Sequence, residues 1–167
     1  MSDDPQVVVI MGSRSDLPFV EQITAALDDF GLSWQTRIAS AHKSAHHLLR
    51  MLEEYSQVER PRVYITVAGR SNALAGLVDA NVVEPVITCA PYSEKFAGAD
   101  VLSSLRMPSG VAPAVVLEPE AAALLAAKML GLSSQSLQDK VASYQRMLAE
   151  KIVADDHCLA SAERGGG

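Results

Sequence analysis

Five runs of strand-forming residues alternate with helical segments along the chain, and this alternation limits the possible folds more than any other feature. Residues 6–11, 63–68, 82–90 and 113–117 are mostly apolar and have the length of strands buried on both faces. Residues 34–39 alternate polar and apolar side chains instead, which is typical of an edge strand. The sequence therefore predicts five strands, with the second at an edge of the sheet.

Apolar residues at helical spacing predict helices over residues 19–30, 48–55, 74–81 and 120–130, and a long terminal helix over 133–156. Gly31 and Gly131 follow two of these segments, where glycine commonly ends a helix. Strands that alternate with helices predict a three-layer α/β/α fold with a parallel sheet and right-handed crossovers. A short second strand at the edge favours the doubly wound, flavodoxin-like order 2-1-3-4-5.

The chain is expected to form one domain over residues 1–160, followed by a disordered tail over 161–167. Its length of 167 residues suits a single domain, and no repeat or linker divides it. Hydrophobic residues make up 49% of the chain but aromatic residues only 5%, so the core must be mostly aliphatic.

Charge and cysteine content exclude several classes of protein. The net charge of -6 argues against a nucleic-acid-binding surface, and no apolar run approaches the length of a membrane span. The acidic N-terminus does not resemble a signal peptide, so a cytoplasmic protein is expected. The two cysteines form no Cys-x-x-Cys pair, and Cys89 lies in an apolar run, where a small buried side chain is expected.

A doubly wound sheet binds ligands beyond the carboxyl ends of its strands, near the point where the strand order reverses. The segment after the first strand contains Gly12, which permits a tight turn, and the hydroxyls of Ser13 and Ser15. These residues precede a helix and predict a phosphate cradle, with Asp16 available to a ribose diol. The alternative interpretation is that Ser15 or Asp16 only caps the helix.

The segment after the second strand contains Ser40, Ala41, His42 and Lys43. A histidine in this position suits general acid–base catalysis near neutral pH, and the lysine supplies a cation for phosphate or carboxylate. A surface His-Lys pair beside a helix is the alternative. No carboxylate completes a metal site with His46, so no metal is expected.

The segment after the third strand contains Gly69, Arg70, Ser71 and Asn72. Gly69 permits close approach of a ligand, Ser71 is a candidate cap of the next helix, and the backbone N–H groups suit a developing carboxylate. The alternative is a capped turn with an exposed arginine. A fourth segment precedes the fifth strand and is expected at the opposite edge of the sheet, where it would serve a neighbouring subunit or form an ordinary turn. Its candidate residues are Met107, Pro108 and Ser109.

In order and spacing, the motifs MGSRSD, SAHK, VAGRSN, SSLRMPSG and VLEP resemble the phosphoribosylaminoimidazole carboxylase family. The family includes mutases, which usually read SAHR and AGGAAHLPG, and class II enzymes, which carboxylate directly. This chain has Lys43 in place of the mutase arginine, and Ala73 and Ala75 in place of the mutase histidine and proline. These departures resemble class II, as in the carboxylase portion of the animal bifunctional enzyme.

Class II membership implies reversible carboxylation of 5-aminoimidazole ribonucleotide (AIR) at C4 by CO2. The product is 4-carboxy-5-aminoimidazole ribonucleotide (CAIR), an intermediate of de novo purine synthesis, and the reaction needs no cofactor. The resemblance assigns His42 as the base that removes the C4 proton. It assigns the turn at residues 69–72 to the CO2 side, and residues 107–109 to a neighbour's site. The nucleotide would contact Gly12, Ser13, Ser15, Asp16, Ser40, Ala41 and Lys43.

The resemblance also implies a homo-oligomer, either an octamer or a tetramer, into which the terminal helix packs. The mutase of the same family is the nearest rival function. A non-enzymatic flavodoxin-like module is more distant, because a phospho-receiver needs an acidic cluster after the first strand and an aspartate after the third. A flavin site would need aromatic residues, which are scarce here.

Overall fold

The computed structural model describes residues 4–164 and contains the predicted five-stranded parallel sheet. The strand order is β2-β1-β3-β4-β5, so the flavodoxin-like prediction is confirmed. The strands are β1 (Val7–Met11), β2 (Trp34–Ile38), β3 (Val63–Val67), β4 (Val86–Thr88) and β5 (Ala114–Val115). The half-exposed β2 lies at the edge, as its alternating sequence predicted.

Six α-helices accompany the sheet in the described part of the chain, and five of them correspond to predicted segments. They are α1 (Leu17–Asp29), α2 (Ala45–Ser56), α3 (Ala73–Asp79), α4 (Leu102–Leu105), α5 (Pro119–Gly131) and α6 (Gln135–Arg164). The short α4 and the 3-10 turns at Glu94–Phe96 and Ala99–Val101 were not predicted. Helix α6 extends beyond residue 156, so residues 161–164 of the predicted tail are helical; residues 165–167 lie outside the described part.

Side chains of β1 alternate between two hydrophobic cores, one on each face of the sheet. Val7 and Val9 pack with α1 and α5, whereas Val8 and Ile10 pack with α2 and α3. All residues of β1 are buried, and each such aliphatic side chain contributes about 1.5–3 kcal/mol to folding. The two cores therefore fix the register of the central strand, and with it the loop that follows Met11.

Strand β4 is much shorter than the nine residues predicted, because its start is occupied by other interactions. Pro85 has no N–H group for the ladder, and the Glu84 carboxylate lies 3.8 Å from the guanidinium of Arg62. The Arg62 side chain is fully buried, and its Nη2 lies 2.6 Å from Asp4 Oδ2. It also donates to the carbonyl of Tyr55 at 2.7 Å. Arg62 thus joins the N-terminal segment, α2 and the start of β4.

Only the first part of α6 packs on the body of the domain. Leu137 and Val141 are buried, Tyr144 contacts the ring of Phe30 edge-on, and Lys140 donates to the carbonyl of Phe30 at the end of α1. The apolar side chains farther along α6 are exposed; they are Met147, Leu148, Ile152, Val153 and Leu159. No helix within residues 4–164 is long and apolar enough to cross a membrane.

Candidate active site

The loops after β1, β2 and β3 meet in one cleft at the carboxyl edge of the sheet, which we call the His42 cleft. Its volume is about 540 Å³, within the usual range for small-molecule sites. The cleft is lined by Gly12, Ser13, Ser15, Asp16, Ser40, Ala41, His42, Lys43, Ala68, Gly69, Arg70, Ser71 and Leu74. The structure thus brings together the candidate residues of all three loops, apart from Asn72, and adds Ala68 and Leu74.

The first loop is held by its own serines. The Ser13 hydroxyl accepts hydrogen bonds from the backbone N–H and the hydroxyl of Ser15, at 3.3 and 2.9 Å. It caps the 3-10 turn at Arg14–Asp16, whereas Asp16, at the N-cap position of α1, makes no side-chain capping bond. Helix capping by Ser15 or Asp16 therefore does not account for these two residues. Gly12 donates to the carbonyl of Val67, which fixes the loop beside β3.

Asp16 is partly buried at the floor of this loop. Desolvation by burial raises the pKa of its carboxyl from 3.8, and hydrogen bonds from the Ser13 backbone and the Ser15 side chain partly oppose the rise. An ionised carboxylate in this position has lost part of its hydration and gains from a hydrogen-bond donor supplied by a ligand.

Short-range hydrogen bonds also shape the second loop. Ser40 donates its backbone N–H to the Ser44 hydroxyl at 2.9 Å, and the Lys43 N–H donates to the Ser40 hydroxyl at 3.3 Å. This arrangement leaves the side chains of His42 and Lys43 exposed at the cleft, ahead of the first residue of α2. The hydrogen bonds that order this loop therefore do not involve the side chains of His42 and Lys43.

The histidines farther along this segment are separate from the site. His46 and His47 are exposed on α2. Among the side chains of residues 4–161, no three from His, Cys, Asp or Glu are grouped in a way that would hold a metal ion. Cys89 is buried, as predicted, and burial raises the pKa of its thiol to about 12.

The third loop contains a left-handed residue. Arg70 has φ +64°, a conformation that costs a non-glycine residue roughly 1–2 kcal/mol. Its side chain is exposed and borders the His42 cleft. The mutase motif AGGAAHLPG has glycine at the corresponding position, where this conformation carries no such cost.

Asn72, which was predicted to bind the ligand, is only 4% exposed and does not line the His42 cleft. Its side chain accepts from the N–H of Ala75 and so caps α3. Asn72, not Ser71, is therefore the capping residue. The Asn72 amide also donates to the hydroxyls of Thr88 and Ser104. These bonds satisfy the buried amide and leave it unavailable to a ligand.

Sequence reasoning missed a segment that supports the third loop. Asp100 and Ser103, between β4 and β5, bond to the backbone of Arg70 and Asn72. A second cavity of about 350 Å³ lies between this segment and α1, and shares Ala68, Gly69 and Arg70 with the His42 cleft. Ser103 begins the SSLRMPSG motif, but neither that motif nor any periodic pattern indicated a contact with the third loop.

The fourth predicted segment does not line the cleft of its own chain. Met107 is half-buried near Gly76, while Pro108 and Ser109 are exposed. Their assignment to a neighbouring subunit remains a prediction.

The fold and the cleft together define a doubly wound α/β enzyme domain, whose site combines hydroxyls, a histidine and a lysine at the switch point of the sheet. The AIR carboxylase family model matches residues 6–151, and the chain belongs to this family. The family places it in purine biosynthesis, among enzymes of the carboxylase or mutase kind.

Individual relatives agree with this placement. The phosphoribosylaminoimidazole carboxylase of Treponema denticola is 52% identical over 93% of this chain and 98% of its own length. The crystal structure of Treponema denticola PurE has a TM-score of 0.90 and covers 92% of this chain and 97% of that one. The human bifunctional phosphoribosylaminoimidazole carboxylase/phosphoribosylaminoimidazole succinocarboxamide synthetase is 43% identical over 81% of this chain, which spans 32% of that protein's length.

Proposed function

We propose that this enzyme is the direct, class II carboxylase, which joins CO2 to C4 of AIR in the cytoplasm and forms CAIR without a cofactor. The composition of the third loop is the observation that carries this choice. Arg70 occupies a left-handed position that is glycine in the mutase motif, while Ala73 and Ala75 replace the mutase histidine and proline. Lys43 replaces the mutase arginine in the second loop.

Carboxylation at C4 requires little prior activation of AIR. The exocyclic amine of AIR donates electron density to C4, which makes that carbon enamine-like. A bond forms from C4 to the carbon of CO2, and one C–O π bond of CO2 becomes a carboxylate lone pair. C4 is then tetrahedral and still carries its hydrogen. His42 takes this proton, and the electrons of the C4–H bond restore the aromatic ring.

The remaining cleft residues suit the nucleotide. Ser13, Ser40 and Lys43 supply hydroxyls and a cation for the phosphate, while Asp16 accepts hydrogen bonds from the ribose diol. Gly12, Ser15 and Ala41 complete this wall. The turn of Gly69, Arg70 and Ser71 forms the opposite wall, beside the carbon that reacts. Holding CO2 against C4 in this orientation is the main catalytic task of the turn.

Replacement of Asp16 by asparagine is expected to raise the stability of the protein but to weaken nucleotide binding. Because the carboxyl pKa is raised in the folded state, ionisation of Asp16 costs stability as the pH rises above 3.8. The variant should therefore be more stable near pH 7, and the difference should disappear below pH 3.8. Thermal unfolding of the ligand-free wild type and variant, from below pH 3.8 to pH 7, measures this difference in stability.

The same variant should bind nucleotide roughly 10–100-fold more weakly, since a hydrogen bond to a charged group contributes about 1.5–3 kcal/mol. Glu21→Gln, on the exposed face of α1, is the matched control and should change neither quantity. A variant with unchanged nucleotide affinity would remove Asp16 from the ribose site.

A turnover assay by ultraviolet absorbance tests the proposed function. Decarboxylation of CAIR is followed first, and product formation is then compared with AIR plus bicarbonate and with N5-carboxyaminoimidazole ribonucleotide. Efficient use of CO2 without a response to the N5-carboxy compound supports the direct carboxylase. Preference for the N5-carboxy compound would mean that Lys43 and Ala73 do not distinguish the classes.

We further propose that the enzyme acts as a homo-oligomer, an octamer or a tetramer. Two exposed apolar regions support this. One is the distal part of α6, where Ile152 is 70% exposed; the other is the segment after β4, with exposed Tyr92, Phe96 and Leu102. Sedimentation should show a species of at least four chains, and Ile152→Glu with Leu159→Glu should dissociate it. A fully active monomer would contradict both this assembly and a role for Met107, Pro108 and Ser109 in a neighbour's site.

A further inference from the structure

The turn from Arg70 to Asn72 is held in its left-handed conformation by another part of the chain. Asp100 Oδ2 accepts a hydrogen bond from the backbone N–H of Arg70 at 3.0 Å. The Ser103 hydroxyl accepts from the backbone N–H of Asn72 at 3.1 Å. Both acceptors lie in the segment between β4 and β5, about 30 residues from the turn along the sequence. The turn is therefore supported by tertiary contacts and not by its own sequence.

The supporting segment is itself anchored. The Ser103 hydroxyl donates to the carbonyl of Asp100 at 2.8 Å, which fixes the two acceptors relative to each other. The buried amide of Asn72 donates to the Ser104 hydroxyl and to Thr88 of β4. Because these bonds connect the segment to the sheet, a displacement of the segment would move the turn with it.

The bonds also divide the N–H groups of the turn into two sets. The N–H groups of Arg70 and Asn72 point to acceptors of the protein, whereas the Ser71 N–H between them has no hydrogen-bond partner within residues 4–164. Ser71 lines the His42 cleft. The N–H groups of Arg70 and Asn72 are therefore occupied, whereas the Ser71 N–H is available to a ligand.

We propose that Asp100 and Ser103 are positioning residues for carboxylation, which hold the wall of the cleft at Arg70 and Ser71 ready for CO2. This inference rests on the proposed function, because it assigns the turn to the carbon dioxide side. Neither residue needs to touch substrate. Each acts through a backbone N–H of the turn, and Asp100 specifically offsets the unfavourable left-handed conformation of Arg70.

Removal of the support should affect chemistry more than nucleotide binding. The phosphate and ribose side of the cleft is built on the loops after β1 and β2, to which Asp100 and Ser103 make no hydrogen bond within residues 4–164. Asp100→Ala should lower kcat for AIR carboxylation about tenfold, equivalent to about 1.4 kcal/mol in the barrier, while KM for AIR changes less than about threefold. Asp100→Asn keeps an oxygen that can accept from the Arg70 N–H and should recover most of the rate.

A double-mutant comparison separates positioning from a general loss of structure. Glycine adopts positive φ freely, so the turn needs less support in the Arg70→Gly background. Asp100→Ala should therefore lower kcat by less than about twofold relative to Arg70→Gly alone. Glu94→Ala, an exposed acidic residue of the same segment, is the control and should leave kcat and thermal stability unchanged. An equal loss in both backgrounds, or no loss in either, overturns the proposal.

Backbone hydrogen exchange gives a readout that does not depend on the reaction. The Arg70 amide should exchange slowly in the wild-type protein and in Asp100→Asn, and much faster in Asp100→Ala. If the wild-type enzyme did not carboxylate AIR, the proposed function would fail, yet this exchange pattern would still support Asp100 as the support of the turn. Unchanged protection in Asp100→Ala would overturn the inference even in a fully active carboxylase.

Discussion

Replacement of His42 by asparagine is expected to lower kcat for AIR carboxylation by about 10²–10⁴-fold, the usual contribution of one general acid–base group. Asparagine has a similar size and can form hydrogen bonds, but it cannot accept the proton that leaves C4. Because His42 is exposed on a loop ordered by Ser40 and Ser44, its replacement should leave the fold intact.

Initial rates in both directions, measured by ultraviolet absorbance, give this effect. By microscopic reversibility, decarboxylation of CAIR should slow by the same factor as carboxylation. His46→Asn is the matched control, because His46 is exposed on α2 and does not line the cleft; its rate should stay within about twofold of the wild type. A His42→Asn enzyme that kept more than a tenth of the wild-type rate would assign the proton transfer to another group.

Replacement of Arg62 by methionine is expected to lower the free energy of unfolding by about 3–5 kcal/mol, as is typical when one partner of a buried ion pair is removed. The variant leaves the Asp4 carboxylate without its nearest cation and removes the guanidinium donor from the carbonyl of Tyr55, which keeps only backbone donors such as the Val58 N–H. Methionine fills part of the volume, so the loss comes mainly from the missing ion pair and hydrogen bonds and not from a cavity.

Urea unfolding at constant protein concentration measures this loss. Arg50→Met on the exposed face of α2 is the control and should change the free energy of unfolding by less than about 0.5 kcal/mol. Since Arg62 is outside the His42 cleft, turnover per folded molecule should be unchanged. A stable Arg62→Met protein would show that the N-terminal segment and β4 do not depend on this side chain.

The sequence was sufficient to predict the sheet order and the helices that cover it, because period and length distinguish buried strands from amphipathic helices. Element ends were harder to predict: β4 loses its predicted beginning to Pro85 and to the pairing of Glu84 with Arg62, and neither effect appears in a hydrophobic pattern. Helix α6 exceeded its predicted end because its distal part contains no terminating glycine or proline before residue 165.

In the candidate site, too, some features could be predicted from the sequence and others could not. The loops after the first three strands could be located because the carboxyl ends of parallel strands share one edge. The role of Asn72 could not be predicted, because its burial depends on Thr88 and Ser104, which are distant in sequence. The contribution of Asp100 was hidden for a similar reason: the left-handed conformation of Arg70 is visible only in three dimensions.

The buried central strand has a consequence for biosynthesis. β1 leaves the ribosome before the other strands and helices of residues 4–164, yet its two cores need β3, α2 and α5, and α5 lies more than a hundred residues later. Until that helix emerges, the nascent chain carries the unpaired apolar sequence of Val7–Met11, whose aggregation chaperones would have to prevent. The order of synthesis therefore differs from the order in which the domain can close, and the earliest strand is among the last to be fully enclosed.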